Sequence, residues 1–527
     1  MTEQAWWRET VFYQVYLPSF QDGNGDGIGD FYGLIDRLGY LQALGVGGLW
    51  ITPFYPSPLV DNGYDISDYL NIAPHYGTLA VFERFIAEAH RRNIRVIIDM
   101  VLNHVSTEHP WFKDALNNPC SRYRDYFIFT RQPNNWQSFF GGPAWEPEAN
   151  GGEYYYHKFA VEQADLNWAN PAVAAEAKAV LDFWQALGVD GFRLDVINFL
   201  SCSTIRTDNP TLDNGEQQHL YNINQPGIES CLADLIAHVR AKGPCFIVGE
   251  VGSDKLAELA RYQADGLCDV VFNFNLGSLP AFDLPQMVQQ LTLMNDLPGS
   301  VPTLFFSSHD MPRMISRFGE FAGDTARARA VACLQLMARG VPFIYYGEEV
   351  GMQDYVASEP NAIYDIQGRT HYQQRLTACG NPEEAFQYAL TKSRDNSRSP
   401  MQWSADAFAG FSTQQPWMPI NENYREINAA TAQYAPDTLW HGYQQLIALR
   451  GRYPVFHYGD YEQLTQVQDT LIFSRRYRQQ RATVMINFGE DYLFEVPPHV
   501  SVLFDTRQIP GQLTNNDIVI FVEDSND

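Results

Sequence analysis

Gly191-Phe192-Arg193-Leu194-Asp195-Val196-Ile197-Asn198 is the stretch on which the fold turns. A short apolar run that ends in an acid is how a buried strand brings a carboxylate to the rim of a barrel. Just upstream, Leu187-Gly188-Val189-Asp190 supplies the glycine that closes a helix whose apolar face reads Val173, Ala177, Val180, Leu181 and Trp184. The order helix, glycine, strand recurs in Leu44-Gly45-Val46 before Leu49-Trp50-Ile51, and in Phe82, Phe85, Ile86 and Ala89 before Val96-Ile97-Ile98-Asp99. A chain that alternates in this way builds a parallel sheet, and acids at strand C-termini face the catalytic end of a (β/α)8 TIM barrel.

Working outward, Val11 to Tyr16 reads as the first strand. Cys245 to Glu250, Val270 to Phe274, Thr303 to Phe306 and Pro342 to Tyr346 follow Asp195 and bring the count to eight. Residues 1–104 are then the first part of the barrel and 172–453 the second. Between them, 105–171 loses periodicity and gathers Trp, Asn, Pro and Gly, too long for an ordinary connection and suited to a small inserted domain after strand three. Residues 350–431 are polar and read as an irregular excursion after strand eight, and 454–527 change to short β runs, an all-β C-terminal sandwich.

With 527 residues the chain can bury a large core, and a net charge of -26 without basic stripes argues against nucleic acid as a partner. No run approaches the roughly 18 apolar residues of a membrane span, and the N-terminus lacks a basic patch followed by an apolar core. Seven widely spaced cysteines with no C-x-x-C pair read as reduced, mostly buried thiols in a cytoplasmic protein. A monomer or weak homo-oligomer acting on a small, neutral oligosaccharide fits this surface.

Several motifs carry chemistry. Asp22-Gly23-Asn24-Gly25-Asp26-Gly27-Ile28-Gly29-Asp30 alternates oxygen-bearing side chains with glycines, as a hard cation such as Ca²⁺ requires, and Asp22, Asn24, Asp26, Asp30 and the Ile28 carbonyl are the candidate ligands. A tight Gly/Asp turn without an ion is the plainer alternative, and no Glu follows at the loop's twelfth position, which argues against an EF-hand. Asp61-Asn62-Gly63-Tyr64-Asp65 sets acids beside an aromatic ring, which suits a sugar's hydroxyls and its C–H face. Asp195, Glu250 and Asp310 stand at or just past the ends of strands four, five and seven. Retaining glycoside cleavage needs a carboxylate nucleophile about 5 Å from a proton-donating carboxylic acid. A third acid nearby raises the donor's pKa by like-charge repulsion. Arg193, on the same strand face as Asp195, is expected to keep that acid ionised.

These motifs, with Asp99 to His104, Ser308-His309-Asp310 and Arg394 to Trp403, resemble the α-amylase superfamily of glycoside hydrolases over essentially the whole chain. Within it they are most similar to the branch of oligo-1,6-glucosidases, dextran glucosidases and bacterial α-glucosidases. The resemblance implies Asp195 as nucleophile, Glu250 as general acid/base and Asp310 as the acid that distorts the sugar and steadies the transition state. It implies that Asp61, Tyr64, His104, Arg193, His309 and Arg398 grip a terminal glucose, with Phe140 and Gln163 reaching in from the inserted domain. Asp61 and Arg398 together would close the pocket behind the non-reducing end, predicting exo action. It implies further that the Asp22 to Asp30 loop holds a structural Ca²⁺, with no organic cofactor.

Val196, directly after the nucleophile position, resembles the α-1,6-acting members, although ordinary strand packing would also explain a valine there. Ser308 stands where the family usually has Asn, and Ala164 where the 1,6-acting group usually has Pro, so the α-1,4 and α-1,1 linkages and transglucosylation stay open. No Arg-Leu-Asp-Arg-Asp signature lies between Glu250 and Asp310, against a sucrose isomerase. A non-catalytic transporter subunit would carry a membrane helix and a damaged triad. A phosphorylated disaccharide would want an extra basic pocket, which no stretch of sequence supplies.

Overall fold

The computed structural model describes residues 3–149, 152–204, 206–213, 216–297 and 299–523. Its centre is eight strands, here numbered one to eight: Phe12–Val15, Gly48–Ile51, Arg95–Met100, Gly191–Leu194, Phe246–Glu250, Val270–Phe272, Thr303–Leu304 and Val341–Tyr345. They run parallel in the order 6-5-4-3-2-1-8-7, and a parallel bridge from Val271 to Pro302 joins the two ends into a barrel. Sequence-level bounds for these strands hold to within one or two residues, because continuous apolar runs buried on both faces leave little ambiguity.

Helices form the outer ring. Leu79–Arg91 starts where the Thr78 side chain accepts a hydrogen bond from the Val81 amide, and buries Phe82, Phe85, Ile86 and Ala89 against the sheet. Pro171–Ala186 has Asn170 as its cap and proline in its first turn, where a missing N–H costs nothing. It buries the five apolar residues read from the sequence. The chain enters strand four from this helix through Gly188, whose φ of 94° is a backbone state that glycine adopts without strain.

Residues after strand three form a small β-rich insertion. Its three-stranded antiparallel sheet orders Phe129–Thr130, Tyr154–Tyr156 and Trp145–Pro147, and a further antiparallel pair, His104–Ser106 with Gln163–Asp165, ties it to the barrel rim. The stretch after strand eight departs from the irregular excursion expected. It holds helices Ile366–Cys379 and Pro382–Leu390. The first of these buries only Gly368, so it has no apolar stripe by which a helix can be recognised in sequence. Beyond residue 459 a five-stranded antiparallel sheet forms from Asp460–Val467, Thr470–Tyr477, Gln480–Asn487, Ile518–Glu523 and Val500–Asp505 in that spatial order, with a two-stranded ribbon beside it. Among the described residues no helix is long and apolar enough to cross a membrane.

Candidate active site

The register of strands three to five sets Asp99 beside Arg193 and Arg193 beside Val248. Neighbours in register on parallel strands share a face, so Asp99 and Arg193 project into the barrel together. Asp195 follows one residue beyond strand four, its amide donating to the Met100 carbonyl at 3.1 Å, and Glu250 is the last residue of strand five. The Arg193 guanidinium spans the group. One terminal nitrogen donates to Asp99 at 2.7 Å and to Asp195, the other to Glu250. A planar fork bonded to two carboxylates holds them side by side, the proximity that a double displacement needs.

Asp310 completes the cluster from strand seven's loop. His309 is buried, its Nδ1 2.7 Å from the Gln14 amide nitrogen and its Nε2 2.6 Å from the Tyr64 hydroxyl and 3.1 Å from Asp310. An amide nitrogen can only donate, so Nδ1 accepts and the proton of the neutral ring lies on Nε2, facing Tyr64 and Asp310. Tyr64 donates onward to Asp99 at 2.9 Å, and the Trp50 indole donates to the same carboxylate at 3.2 Å.

The electrostatics separate the three acids. Burial pushes Asp195 up to about 7 and Glu250 further, to about 8, with Arg193 pulling both down and neighbouring acids pushing them up. The expectation that Arg193 keeps Asp195 ionised is therefore corrected: one cation is shared among Asp99, Asp195 and Glu250 and does not offset burial. Asp310 goes the other way. Burial opposes its charge, yet His309, Arg394 and Arg398 hold it well below the usual carboxylate range. Since burial drives His309 itself down to about 3, it is the two arginines that keep Asp310 ionised near neutrality.

A cavity of about 630 Å³ opens over these groups, lined among others by Asp61, Tyr64, His104, Phe140, Asp195, Val196, Glu250 and Asp310. Gln163, Arg193, His309 and Arg398 are absent from the lining and act from behind it. Gln163 donates to Asp61 at 3.1 Å, and Arg398, fully buried, reaches Asp310 at 3.1 Å and the His309 carbonyl at 2.7 Å. Asp61 and Arg398 thus do not close the pocket as expected. Arg394 does, lining the cavity, pairing with Asp61 at 2.7 Å and lying 3.6 Å from Asp310, with buried Asp365 behind both arginines. Val196 is not in a strand: its φ of 40° and ψ of 46° are left-handed, an arrangement that costs a β-branched residue roughly 1–2 kcal/mol. Nothing in the sequence alone marks a role for Asp99, Trp50, Gln14, Arg394 or Asp365. Asp99 and Arg394 lay within motifs already singled out, and the barrel's layer periodicity marks Asp99 as inward-facing with Arg193.

The Asp22 to Asp30 loop lies apart from the cavity. Asp22 accepts from the Gly25 and Gly27 amides at 2.6 and 2.8 Å, and Asp30 caps helix Phe31–Leu44 through the Gly33 amide at 2.7 Å. Asn24 and Asp26 accept from amides two residues on, both at 2.9 Å. Among the described residues no three acids, histidines or cysteines converge as a metal site. Both Asp30 oxygens already accept two amide hydrogens each, and one Asp22 oxygen accepts from Gly27 and Ser412, so the carboxylates with accepting capacity left for a hard cation are the other Asp22 oxygen and those of Asp26.

Known proteins resemble this chain over most of its length. The model of the α-amylase catalytic domain matches residues 14–459. The oligo-1,6-glucosidase of Parageobacillus thermoglucosidasius is 37% identical over 539 aligned positions, covering 96% of this chain and 94% of the relative. The trehalose-6-phosphate hydrolase of Bacillus subtilis is 36% identical, covering 98% and 95%. Among solved structures, trehalulose synthase of Pseudomonas mesoacidophila superposes with a TM-score of 0.92 at 33% identity, covering 98% of this chain and 99% of the other.

Proposed function

We propose that this chain, which belongs to the α-amylase family of glycoside hydrolases, is an α-glucosidase that removes terminal glucose from short α-1,6-linked oligosaccharides with retention of configuration. The observation that carries the mechanism is the Arg193 fork joining Asp195 to Glu250 at the floor of the cavity. Glu250, the acid with the higher pKa, gives its proton to the glycosidic oxygen while the Asp195 carboxylate attacks the anomeric carbon. A glucosyl ester on Asp195 then forms, and Glu250, now a base, takes a proton from the water that hydrolyses it. Asp310, kept ionised by Arg394 and Arg398, faces the positive charge that develops on the ring. The Asp61–Arg394 pair supplies hydrogen-bonding partners for the hydroxyls of the terminal glucose and supports exo action.

Linkage rests on Val196, whose strained backbone aims a branched, inflexible side chain into the cavity beside Glu250. A phosphorylated disaccharide is disfavoured on one observation. The cavity lining carries Asp61, Asp195, Glu250, Asp254, Glu258 and Asp310 against a single arginine, already paired with Asp61. Glucose release measured in parallel from isomaltose, isomaltotriose, maltose, trehalose, trehalose 6-phosphate and sucrose tests this. The α-1,6 substrates should lead, and a preference for trehalose 6-phosphate would reject the reading.

The protein is further proposed to work in the cytoplasm as a monomer or weak homo-oligomer. A structural Ca²⁺ is proposed for the loop, held by Asp22, Asn24, Asp26, Asp30 and the Ile28 carbonyl. Chelation should then lower the melting temperature by a few degrees, and an unchanged melt would leave the loop as a turn capped by its own amides.

A further inference from the structure

The seven cysteines are free, but the expectation that they are mostly buried fails: three are buried, Cys202 and Cys231 are half-buried, and Cys120 and Cys379 are exposed. Nor does separation in sequence keep them apart. Cys202, three residues past Phe199 in the loop after strand four, has its sulfur 3.5 Å from that of Cys231, 29 residues later. We propose that Cys202 and Cys231 form a redox-active thiol pair, a reversible disulfide site that fastens the loop forming one wall of the sugar cavity.

The two thiols differ in a way that suits this chemistry. Cys231 lies in the first turn of helix Ile228–Arg240, its amide bonded to the Gly227 carbonyl, where the aligned peptide dipoles favour an anion. The Cys202 thiol donates its hydrogen to the Cys231 sulfur, and this contact lowers Cys231 to about 7 while raising Cys202. By its place in the first turn of the helix, Cys231 takes the attacking role and Cys202 the resolving one. By contrast, burial pushes Cys245 and Cys268 up to about 12, which leaves them unreactive. The oxidant is a low-molecular-weight disulfide. The Cys231 thiolate attacks one of its sulfurs and expels one thiolate, leaving a mixed disulfide. Cys202 then loses its proton to solvent, attacks the Cys231 sulfur and expels the second thiolate. The protein gives up two electrons, and the small disulfide becomes two thiols.

What the bond would hold is specific. The loop between the two cysteines carries Ile223, which lines the cavity, and packs on the inserted domain through Asn135 and Trp136, which bond to Asn209 and Thr207. Elsewhere it meets the barrel rim where the Asn224 amide donates to the Asn198 carbonyl at 2.7 Å. Closing it covalently removes freedom chiefly from the unfolded chain.

The test treats the wild-type protein with oxidised glutathione, alkylates remaining thiols and maps peptides by mass spectrometry. A Cys202–Cys231 cross-linked peptide lighter by two hydrogens is expected. With it should come a melting temperature raised by roughly 3 °C, reversed by dithiothreitol and absent from Cys202→Ser and Cys231→Ser. Recovery of both cysteines as alkylated thiols, or as mixed disulfides with glutathione that never resolve, overturns the proposal. Because the readout is covalent and thermal, its outcome is independent of which sugar the enzyme cleaves.

Discussion

The two ends of the barrel are built from the same eight strands and solve opposite problems. At the N-terminal mouth, Phe12 stacks on Phe343 and Phe246 with ring centroids 4.8 and 5.1 Å apart, and Trp7 covers Phe246 at 5.5 Å. Gly48 makes this possible, since a Cβ there would lie 2.7 Å from the Phe12 ring. At the C-terminal rim, three carboxylates share one arginine beneath the sugar cavity. The apolar end is satisfied by packing alone, whereas the polar end keeps acids whose charge is opposed by burial. One end holds the barrel together, and the other carries strain in order to act.

That contrast can be broken by experiment. Asp195→Asn should lower turnover by about 10⁴-fold or more while leaving the melting temperature unchanged or higher, since it removes one like charge from the cluster. Loss of fold with loss of activity would show that the rim is structural after all. Phe12→Ala should do the reverse. A cost of roughly 3–5 kcal/mol in stability is expected for an aromatic removed from a packed core, with the rate per folded molecule unaltered. A kinetic defect in the fraction that remains folded would couple the two ends.

Smaller effects sharpen the picture of the rim. Activity requires one proton on the Asp195–Glu250 pair, so kcat/KM should rise as the first carboxyl ionises near 7 and fall as the second does near 8. Glu250→Gln should erase the alkaline limb and spare kcat/KM for aryl glucosides with good leaving groups, which need no proton, while lowering their kcat because the hydrolysing water loses its base. An alkaline limb that persists would move the acid role to another residue. Finally, Val196→Gly should relieve the left-handed backbone and raise the melting temperature slightly, by the equivalent of about 1 kcal/mol at most. It should also narrow the ratio of isomaltose to maltose hydrolysis, and an unchanged ratio would remove Val196 from linkage selection.

Much of the architecture was legible in the sequence because a parallel strand buried on both faces is largely apolar, and Val96 to Ile98, ending in Asp99, is such a run. The carboxylates were legible for the same reason, standing out at the ends of those runs. The helix over residues 366–379 was not, since a helix that buries only a glycine leaves no periodic trace. Arg394 and Arg398 lie four residues apart in one motif, and nothing in their order says which faces the cavity. The partners they meet in the fold distinguish them, Asp61 for Arg394 and the His309 carbonyl for Arg398.

Local sequence alone determined the alternation of helix and strand, the eightfold count and the three acids at the strand ends, because these follow from hydrophobic period and from the chirality of the chain. Only tertiary structure decided that Arg193 divides its charge among Asp99, Asp195 and Glu250, that Val196 leaves the strand for a left-handed turn, and that Cys202 meets Cys231. Those depend on distances between residues far apart in the chain. Charge sharing, burial and thiol contact fall off within a few ångströms, so they exist only once the barrel has closed.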